Sequence, residues 1–539
     1  MADLTLRDNI AFACLTRPCE QGLADHECLR WVTPDLKTES LTYATFESRS
    51  NRIAHSLRDL GVQPGDVVSI FLPRSPLLIS AFFGILKLQA LACILFSTLG
   101  EEALLDRLSN SASRVVITKR SFVHKLLAIR SQLPDLKVIL LVDSDDHQAP
   151  DVLSLPKLMQ AASESFDYPH QVDPETPAFL QYTSGSTGKP KGALHVHGAL
   201  ADMRNSFIEI MSPQDDDLYW CTADPAWITG LVYGIIAPLC TQTHQVQFEG
   251  GYHAAKWLML IRDQQVTLWY TAPTALRMLM QEPPETFTQA DLSSLKHIFS
   301  VGEPLNPEIY AWGKKTFKKE IYDTWFQSET GSIMIANHPG MTVKPGSMGL
   351  PRTGIKVHIC DDDIHPVPTG MQGHLCLKPG WASMFRTYYH KEAAYREKFK
   401  GGFYITGDLA KQDADGYTWY VSRADDVINT GGHLVGPFEV ESALLEMTEI
   451  GDVAVIGASD SLLHMKIVAF VVLAGDTRWS RELELKCRIH VANHVSTTAI
   501  PAEFKVTDKI PKNQSGKILR RVLKAIYEGR DPGDLSTME

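Results

Sequence analysis

The chain is poor in cysteine, and its few cysteines form no pattern. Nine are scattered over 539 residues, at positions 14, 19, 28, 93, 221, 240, 360, 376 and 487. An odd set without a Cys-x-x-Cys pair excludes a disulfide framework or a zinc ribbon and fits reduced thiols. Long apolar runs are missing too, since no stretch approaches the roughly 20 residues needed to span a bilayer. The opening MADLTLRDNIAFACLTRP mixes acidic and basic side chains around a weak apolar patch, unlike a secretory signal or transit peptide. The closing DLSTME matches no retention or peroxisomal signal. A cytoplasmic chain without a membrane partner is therefore expected.

An excess of positive charge is absent. Lys and Arg number 52 against 63 Asp and Glu, a formal net charge of −11, which argues against nucleic acid as a partner. Internal repeats and low-complexity tracts are lacking. With 44% hydrophobic and 21% charged residues, the disordered, collagen-like and coiled-coil classes are excluded. The length implies about three or four structural units at about 150 residues each. Nothing in the composition sets an oligomeric state.

What is present alternates helix and strand. Phe46, Ser50, Ile53, Leu57 and Leu60 recur at helical spacing, and Gly61 supplies a stop. A Gln-Pro-Gly-Asp turn at 63–66 leads into an apolar run at 67–72, read as a buried strand, and 114–118 and 137–142 repeat that pattern. Strands separated by helices predict parallel βαβ units, continuing through 230–310. From 345 to 425 short strands are broken by Gly, Pro and Asp, with a hairpin signal at Asp415-Gly416, so a small antiparallel β unit is expected. Beyond Arg423 the pattern predicts a helix at 438–446, strands at 453–456 and 466–472, and a basic helix from about 518. The expected fold class is α/β: a large N-terminal domain (1–423) of two βαβ-type subdomains plus a small β unit, then a small, mobile α+β C-terminal domain (424–539).

One loop has the composition of a phosphate cradle. Tyr182-Thr183-Ser184-Gly185-Ser186-Thr187-Gly188-Lys189-Pro190-Lys191-Gly192 combines glycines, hydroxyls and two lysines after a strand-like 177–181. It fits no register of the P-loop pattern. By composition alone a solvated loop is the favoured reading, and only the motifs that follow turn it toward phosphate. His195 and His197 alternate onto one strand face, but no carboxylate or third ligand stands near them, so no metal role is expected.

Four further segments follow in order: Tyr322-Asp323-Thr324-Trp325-Phe326-Gln327-Ser328-Glu329-Thr330-Gly331, Tyr404-Ile405-Thr406-Gly407-Asp408, Ser422-Arg423-Ala424-Asp425-Asp426 and Pro511-Lys512-Asn513-Gln514-Ser515-Gly516-Lys517. Together with the loop they resemble the adenylate-forming superfamily of acyl-CoA synthetases, peptide-synthetase adenylation domains and luciferases. Trp220-Cys-Thr-Ala-Asp-Pro-Ala-Trp227-Ile-Thr-Gly230, Val301-Gly-Glu-Pro304 and Gly436-Pro-Phe-Glu-Val-Glu-Ser442 look like the shorter, bacterial-type acetyl-CoA synthetases within it.

The resemblance implies an AMP-forming acid–thiol ligase that uses ATP, Mg²⁺ and CoA. It implies that Lys517, Glu329 and Thr183 are catalytic, with Glu329 placing the magnesium. It implies that Ser184, Gly185, Ser186, Thr187, Gly188, Lys189 and Lys191 cradle phosphates. Gly302, Glu303, Pro304, Asp323, Thr324, Trp325, Gln327 and Ser328 would wall the nucleotide, with Asp408 and Arg423 on its ribose and phosphate. Trp227, Ile228, Thr229, Val301 and Phe326 would line an acyl pocket that the aromatic at 326 keeps short, and Asp425 would be the hinge. Three positions depart from the pattern: Leu434 stands where an arginine is usual, Gln89 where glycine is frequent, and Ser422 where glycine commonly precedes the arginine. Alternatives stay open: transfer to a carrier protein or an amine, a longer or aromatic acid, or a non-catalytic nucleotide-binding relative.

Overall fold

A computed structural model describes residues 4–144, 149–183, 190–288, 290–430, 433–460, 464–512, 517–532 and 538. Among them, two large sheets carry most of the first 350 residues. One has eight strands, with Val67–Phe71 between Leu91–Ile94 and Val115–Thr118, all parallel, followed outward by Val138–Leu141 and Val152–Ser154. On its other flank Pro177–Thr183 runs parallel to Leu91–Ile94 and pairs antiparallel with Lys191–Val196. The three central strands are buried at every position, as uninterrupted apolar runs covered on both faces must be.

The second sheet has nine strands. Its parallel centre runs Gln245–Phe248, Tyr219–Cys221, Leu268–Thr271, His297–Val301, Ile321–Trp325. The expected antiparallel unit is a five-stranded sheet around Gln372–Leu377 and Phe403–Gln412, and Gly416, at φ +86°, turns the chain into Thr418–Arg423. The last hundred residues form a separate five-stranded sheet packed by the helices Pro437–Leu445, Arg481–His494 and Arg520–Tyr527. The final helix starts two residues later than expected, because Leu519 holds a non-helical backbone. Among the described residues no helix is long and apolar enough to cross a membrane.

Local chemistry fixes the first helix, Tyr43–Asp59. Thr42 caps its start by accepting from the Thr45 N–H, and Phe46, Ile53 and Leu57 are fully buried. It packs on the helix Pro76–Lys87, whose buried Lys87 ammonium donates to Glu47 at 2.8 Å and Asn51 at 2.6 Å. That second helix closes with the Ala90 N–H on the Ile85 carbonyl and the Gln89 N–H on the Leu86 carbonyl. This termination requires a left-handed residue at position 89, and Gln89 sits there at φ +54°. The glycine frequent at this position in the resembled family has a conformational explanation.

Gln89→Gly should therefore stabilise the large domain by about 0.5–1 kcal/mol: it relieves a left-handed penalty of about 1–2 kcal/mol and adds unfolded-chain entropy worth about 0.4–1 kcal/mol. A rise in the urea midpoint at unchanged slope would show it; an unchanged or lower midpoint would refute it.

Candidate active site

In open α/β sheets the crevice for ligands lies beyond the carboxyl ends of the strands. Here a cavity of about 610 Å³ opens beyond the parallel strands of the nine-stranded sheet. Thr222, Gly250, Ala272, Gly302 and Gln327 follow five of those strands into its wall. Thr406, Asp408, Ser422 and Arg423 close it from the antiparallel unit, and Lys517, Ile518 and Arg520 from the C-terminal segment that leads into the last helix.

Two glycines are required by close approach. A Cβ on Gly230 would sit 2.1 Å from the Asp224 carbonyl oxygen, so the Trp220–Gly230 segment can fold back on itself only with glycine. Gly331, at φ +71°, would place a Cβ 2.2 Å from the Ser383 carbonyl oxygen. These contacts set the chain entering the helix Ile228–Leu231 and leaving the Asp323–Glu329 stretch.

Asp408 is the best-anchored polar group of the cavity. Its Oδ2 accepts from Trp325 Nε1 at 3.2 Å and Gln327 Nε2 at 2.9 Å, and its Oδ1 accepts from Arg423 Nη1 at 2.9 Å. Tyr404 fixes Gln327 by donating to its Oε1 at 2.9 Å. Burial works against the Arg423 charge, yet Asp408 and then Asp425, 3.5 Å from its Nε, hold the guanidinium more firmly protonated than usual. Glu329 accepts from the Tyr388 hydroxyl at 2.5 Å. Burial and the neighbouring Glu329 charge raise that phenol, so Tyr388 remains a donor.

The lysines face the same field. Lys191 opens the strand paired to Thr183 and lies 5.3 Å from the Tyr388 ring centre. Burial, with Arg423 nearby, lowers Lys517, while Asp426 and Asp408 pull the other way. The small domain is seated by Asn306 donating to Ser442 Oγ at 2.8 Å and by Arg277, 3.9 Å from Asp452, which within the small domain also meets Lys512 at 2.5 Å. This seating carries Lys517 to the cavity wall.

Of the residues singled out in the sequence, Thr183, Gly302, Glu303, Pro304, Asp323, Thr324, Trp325, Gln327, Ser328, Glu329, Asp408, Arg423 and Lys517 all line the cavity. Trp227, Ile228, Thr229, Val301 and Phe326 line it as well. Phe326 packs edge-on to Tyr233 at 5.3 Å and Trp227 edge-on to Phe96 at 4.8 Å, making an aromatic end wall. Asp425 sits beside the wall through Arg423 rather than in it. Ser184, Gly185, Ser186, Thr187, Gly188 and Lys189, together with Gly432, Asn513, Gln514, Ser515 and Gly516 and the Leu434 side chain, lie outside the described residues. His195 Nε2 bonds the Ser328 carbonyl oxygen at 2.8 Å, its ring stacks on Phe179, and His197 Nδ1 accepts the Ile10 N–H.

Four basic residues of the wall, Arg74, Arg277, Lys398 and Arg520, had no sequence signal. Lys398 lies among Glu329, Asp408, Arg423 and Lys191, and burial lowers it. It is brought there by a short strand pairing in which the Ile405 N–H bonds its carbonyl. Arg74 donates to the Phe248 and Thr222 carbonyls at 3.1 and 3.0 Å, tying two strand ends at the far side of the cavity.

Comparison with known proteins gives the family. The family model for AMP-binding enzyme matches residues 17–389, and that for the AMP-binding enzyme C-terminal domain matches 439–517. The acetyl-coenzyme A synthetase of Bacillus subtilis (strain 168) is 41% identical over 533 residues, covering 98% of this chain and 92% of that one. That of Streptomyces coelicolor is 34% identical, covering 98% and 85%. Among solved structures, an anthranilate CoA ligase in complex with anthranoyl-AMP superposes with a TM-score of 0.89 at 28% identity, covering 97% of this chain and 98% of that chain. An acyl-CoA synthetase of Brucella canis gives 0.75 at 29% identity, covering 97% and 94%.

Asp323, at the end of its strand, has a testable electrostatic signature. Burial pushes its carboxyl up to about 7, against the opposing effect of a 2.5 Å hydrogen bond from Ser300. Above the unfolded value the native state retains a proton that the unfolded chain has lost, so this group's contribution to stability falls as pH rises toward 7. Asp323→Asn removes the effect. The stability of the variant minus that of wild type should climb by up to about 1.4 kcal/mol per pH unit between about pH 4 and 7, then level off. A pH-independent difference in denaturation experiments would sink this reading.

Proposed function

The chain belongs to the AMP-binding enzyme family, and from that premise we propose that it is an AMP-forming acyl-CoA synthetase for short carboxylic acids of acetate or propionate size. The observation that carries the reading is the meeting, in one cavity, of the Asp408–Arg423 pair, Glu329 and Lys517 with the aromatic end wall at Phe326. The large domain is read as 1–423 and the small one as 424–539, with Asp425 at the pivot.

In the first half-reaction a carboxylate oxygen bonds the α-phosphorus of ATP as the bond to the β-phosphate oxygen breaks and pyrophosphate leaves. In the second, the CoA sulfur gives its proton to solvent and bonds the acyl carbon as the acyl carbon–oxygen bond breaks and AMP departs with that oxygen. Asp408 is assigned to the ribose hydroxyls: Oδ2 already accepts two donors, while Oδ1 accepts only from Arg423 and keeps lone-pair capacity for a hydroxyl. Gly302 to Pro304 and Asp323 to Ser328 are assigned to the nucleotide wall. Thr183, the loop at 184–189 and Lys191 are assigned to the β- and γ-phosphates.

Lys517 places positive charge where the attacking carboxylate and the α-phosphate concentrate negative charge. Burial first, and then the neighbouring Arg423 charge, lowers its proton affinity, and an anionic ligand would counter both. Glu329 and Thr183 offer hard oxygen donors on the cavity wall, a set that suits magnesium. Bound there, magnesium would neutralise phosphate charge. Tyr388 orients Glu329 for that role.

Trp227, Ile228, Thr229, Val301 and Phe326 are assigned to the acyl group. One methylene is worth about 1–3 kcal/mol of discrimination, so the wall separates short acids from long ones more sharply than acetate from propionate. The relatives named acetyl-coenzyme A synthetase support both the acid size and CoA as acceptor. Leu434 in place of arginine is the one feature favouring another acceptor thiol or amine.

Assays of AMP and thioester with two- to eight-carbon acids should peak at two or three carbons and require ATP, magnesium and CoA. Lys517→Ala should slow adenylation about 100- to 1,000-fold. Wild-type AMP release in that variant would refute its role, and adenylate without thioester in the native protein would redirect the search for the acceptor. Phe326→Gly should move kcat/KM toward four- to eight-carbon acids by about tenfold or more relative to acetate. An unchanged chain-length profile would remove Phe326 from the acyl pocket.

A further inference from the structure

A second cluster of ligating side chains lies away from the cavity, on the small domain. His490 and His494 stand one turn apart on the helix Arg481–His494, and Glu446 is the C-cap of the helix Pro437–Leu445. His490 Nε2 is 2.9 Å from Glu446 Oε2, and His494 Nε2 is 3.7 Å from the same oxygen. The three ligating atoms lie within 4.8 Å of one another. The two imidazoles stack, with ring centres 3.8 Å apart and planes 21° apart.

The tautomer of one ring follows from its partner. His494 Nδ1 lies 2.9 Å from the His490 carbonyl oxygen, which can only accept, so Nδ1 carries the proton. In the neutral ring that leaves the lone pair on Nε2, the nitrogen facing Glu446. A backbone carbonyl holding the far N–H is the arrangement that orients metal-ligating histidines. The side chains are 24%, 48% and 40% exposed for His490, His494 and Glu446, so an ion can reach them from solvent. Glu446 also acts electrostatically on Glu308, a carboxylate on the large-domain helix Pro307–Phe317, and a dication would relieve that like-charge contact.

We propose that Glu446, His490 and His494 form a site for a zinc-class divalent cation, distinct from the magnesium role assigned to Glu329. Two imidazole nitrogens and one carboxylate oxygen suit borderline ions, whereas magnesium favours an all-oxygen shell. Three protein ligands leave a fourth position to water. The ion would cross-link the helices Pro437–Leu445 and Arg481–His494 and so stiffen the small domain.

The full chain, stripped with EDTA, is titrated with Zn²⁺ by calorimetry and with Co²⁺ by visible absorption. Wild type should bind one Zn²⁺ at this site, show a Co²⁺ ligand-field band, and keep both in millimolar Mg²⁺. The double variant His490→Ala/His494→Ala should lose the band and weaken Zn²⁺ at that site about 10- to 100-fold or more, with adenylation in magnesium unchanged. Glu446→Gln, which keeps both imidazoles, should weaken Zn²⁺ less and supplies the comparison if the double variant does not fold. Equal Zn²⁺ affinity and Co²⁺ spectra in wild type and either variant would overturn the site.

Discussion

The site depends on one buried carboxylate. Asp408 sits on the antiparallel unit, yet it accepts from Trp325 and Gln327 at the end of a parallel strand and from Arg423 on the neighbouring strand. A carboxylate that is only 3% exposed is costly without donors, and these three supply them. The same contacts therefore lock the antiparallel unit onto the sheet end. The charge they organise reaches further. Arg423 carries Asp425 beside it, and Asp408 and Asp426 together steady Lys517 against burial.

This arrangement explains why the cavity lies where three layers meet. The nine-stranded sheet supplies backbone and small residues at its strand ends, where successive loops can all face one crevice. The antiparallel unit supplies fixed charge. The small domain supplies the lysine, and its seating includes the polar contacts Asn306–Ser442 and Arg277–Asp452 beside Phe438 packed edge-on to Tyr420. Polar contacts of that kind are compatible with rearrangement between half-reactions, as inter-domain interfaces within a chain commonly are.

The zinc-class site has a different logic. Its three donors come from two helices of the small domain and none lines the cavity. Its consequence is stiffness rather than catalysis, so the two sites can be disabled separately.

Much of this was legible in the sequence, because the informative signals were local. Apolar runs at 67–72, 114–118 and 137–142 mark buried parallel strands, since a strand covered on both faces has no polar side to show. The Asp415-Gly416 turn, the Thr42 cap and the glycines of the motifs are likewise written within a few residues. Most motif residues named from the sequence also reach one cavity. Lys398, Arg74 and Tyr388 carried no such sign: a lone basic or aromatic side chain reads alike on a surface or in a site. Strand pairing and the convergence of strand ends, separated by tens to hundreds of residues, decided that Lys398 and Tyr388 meet Glu329 and that Arg74 ties two strand ends at the cavity wall. The cluster of Glu446 with His490 and His494 was decided the same way, by two helices packing side by side. The sequence by itself determined which backbone conformations and which chemical groups the protein has. Only the tertiary structure decided which of those groups share a low-dielectric space, because that depends on long-range packing that no local pattern encodes.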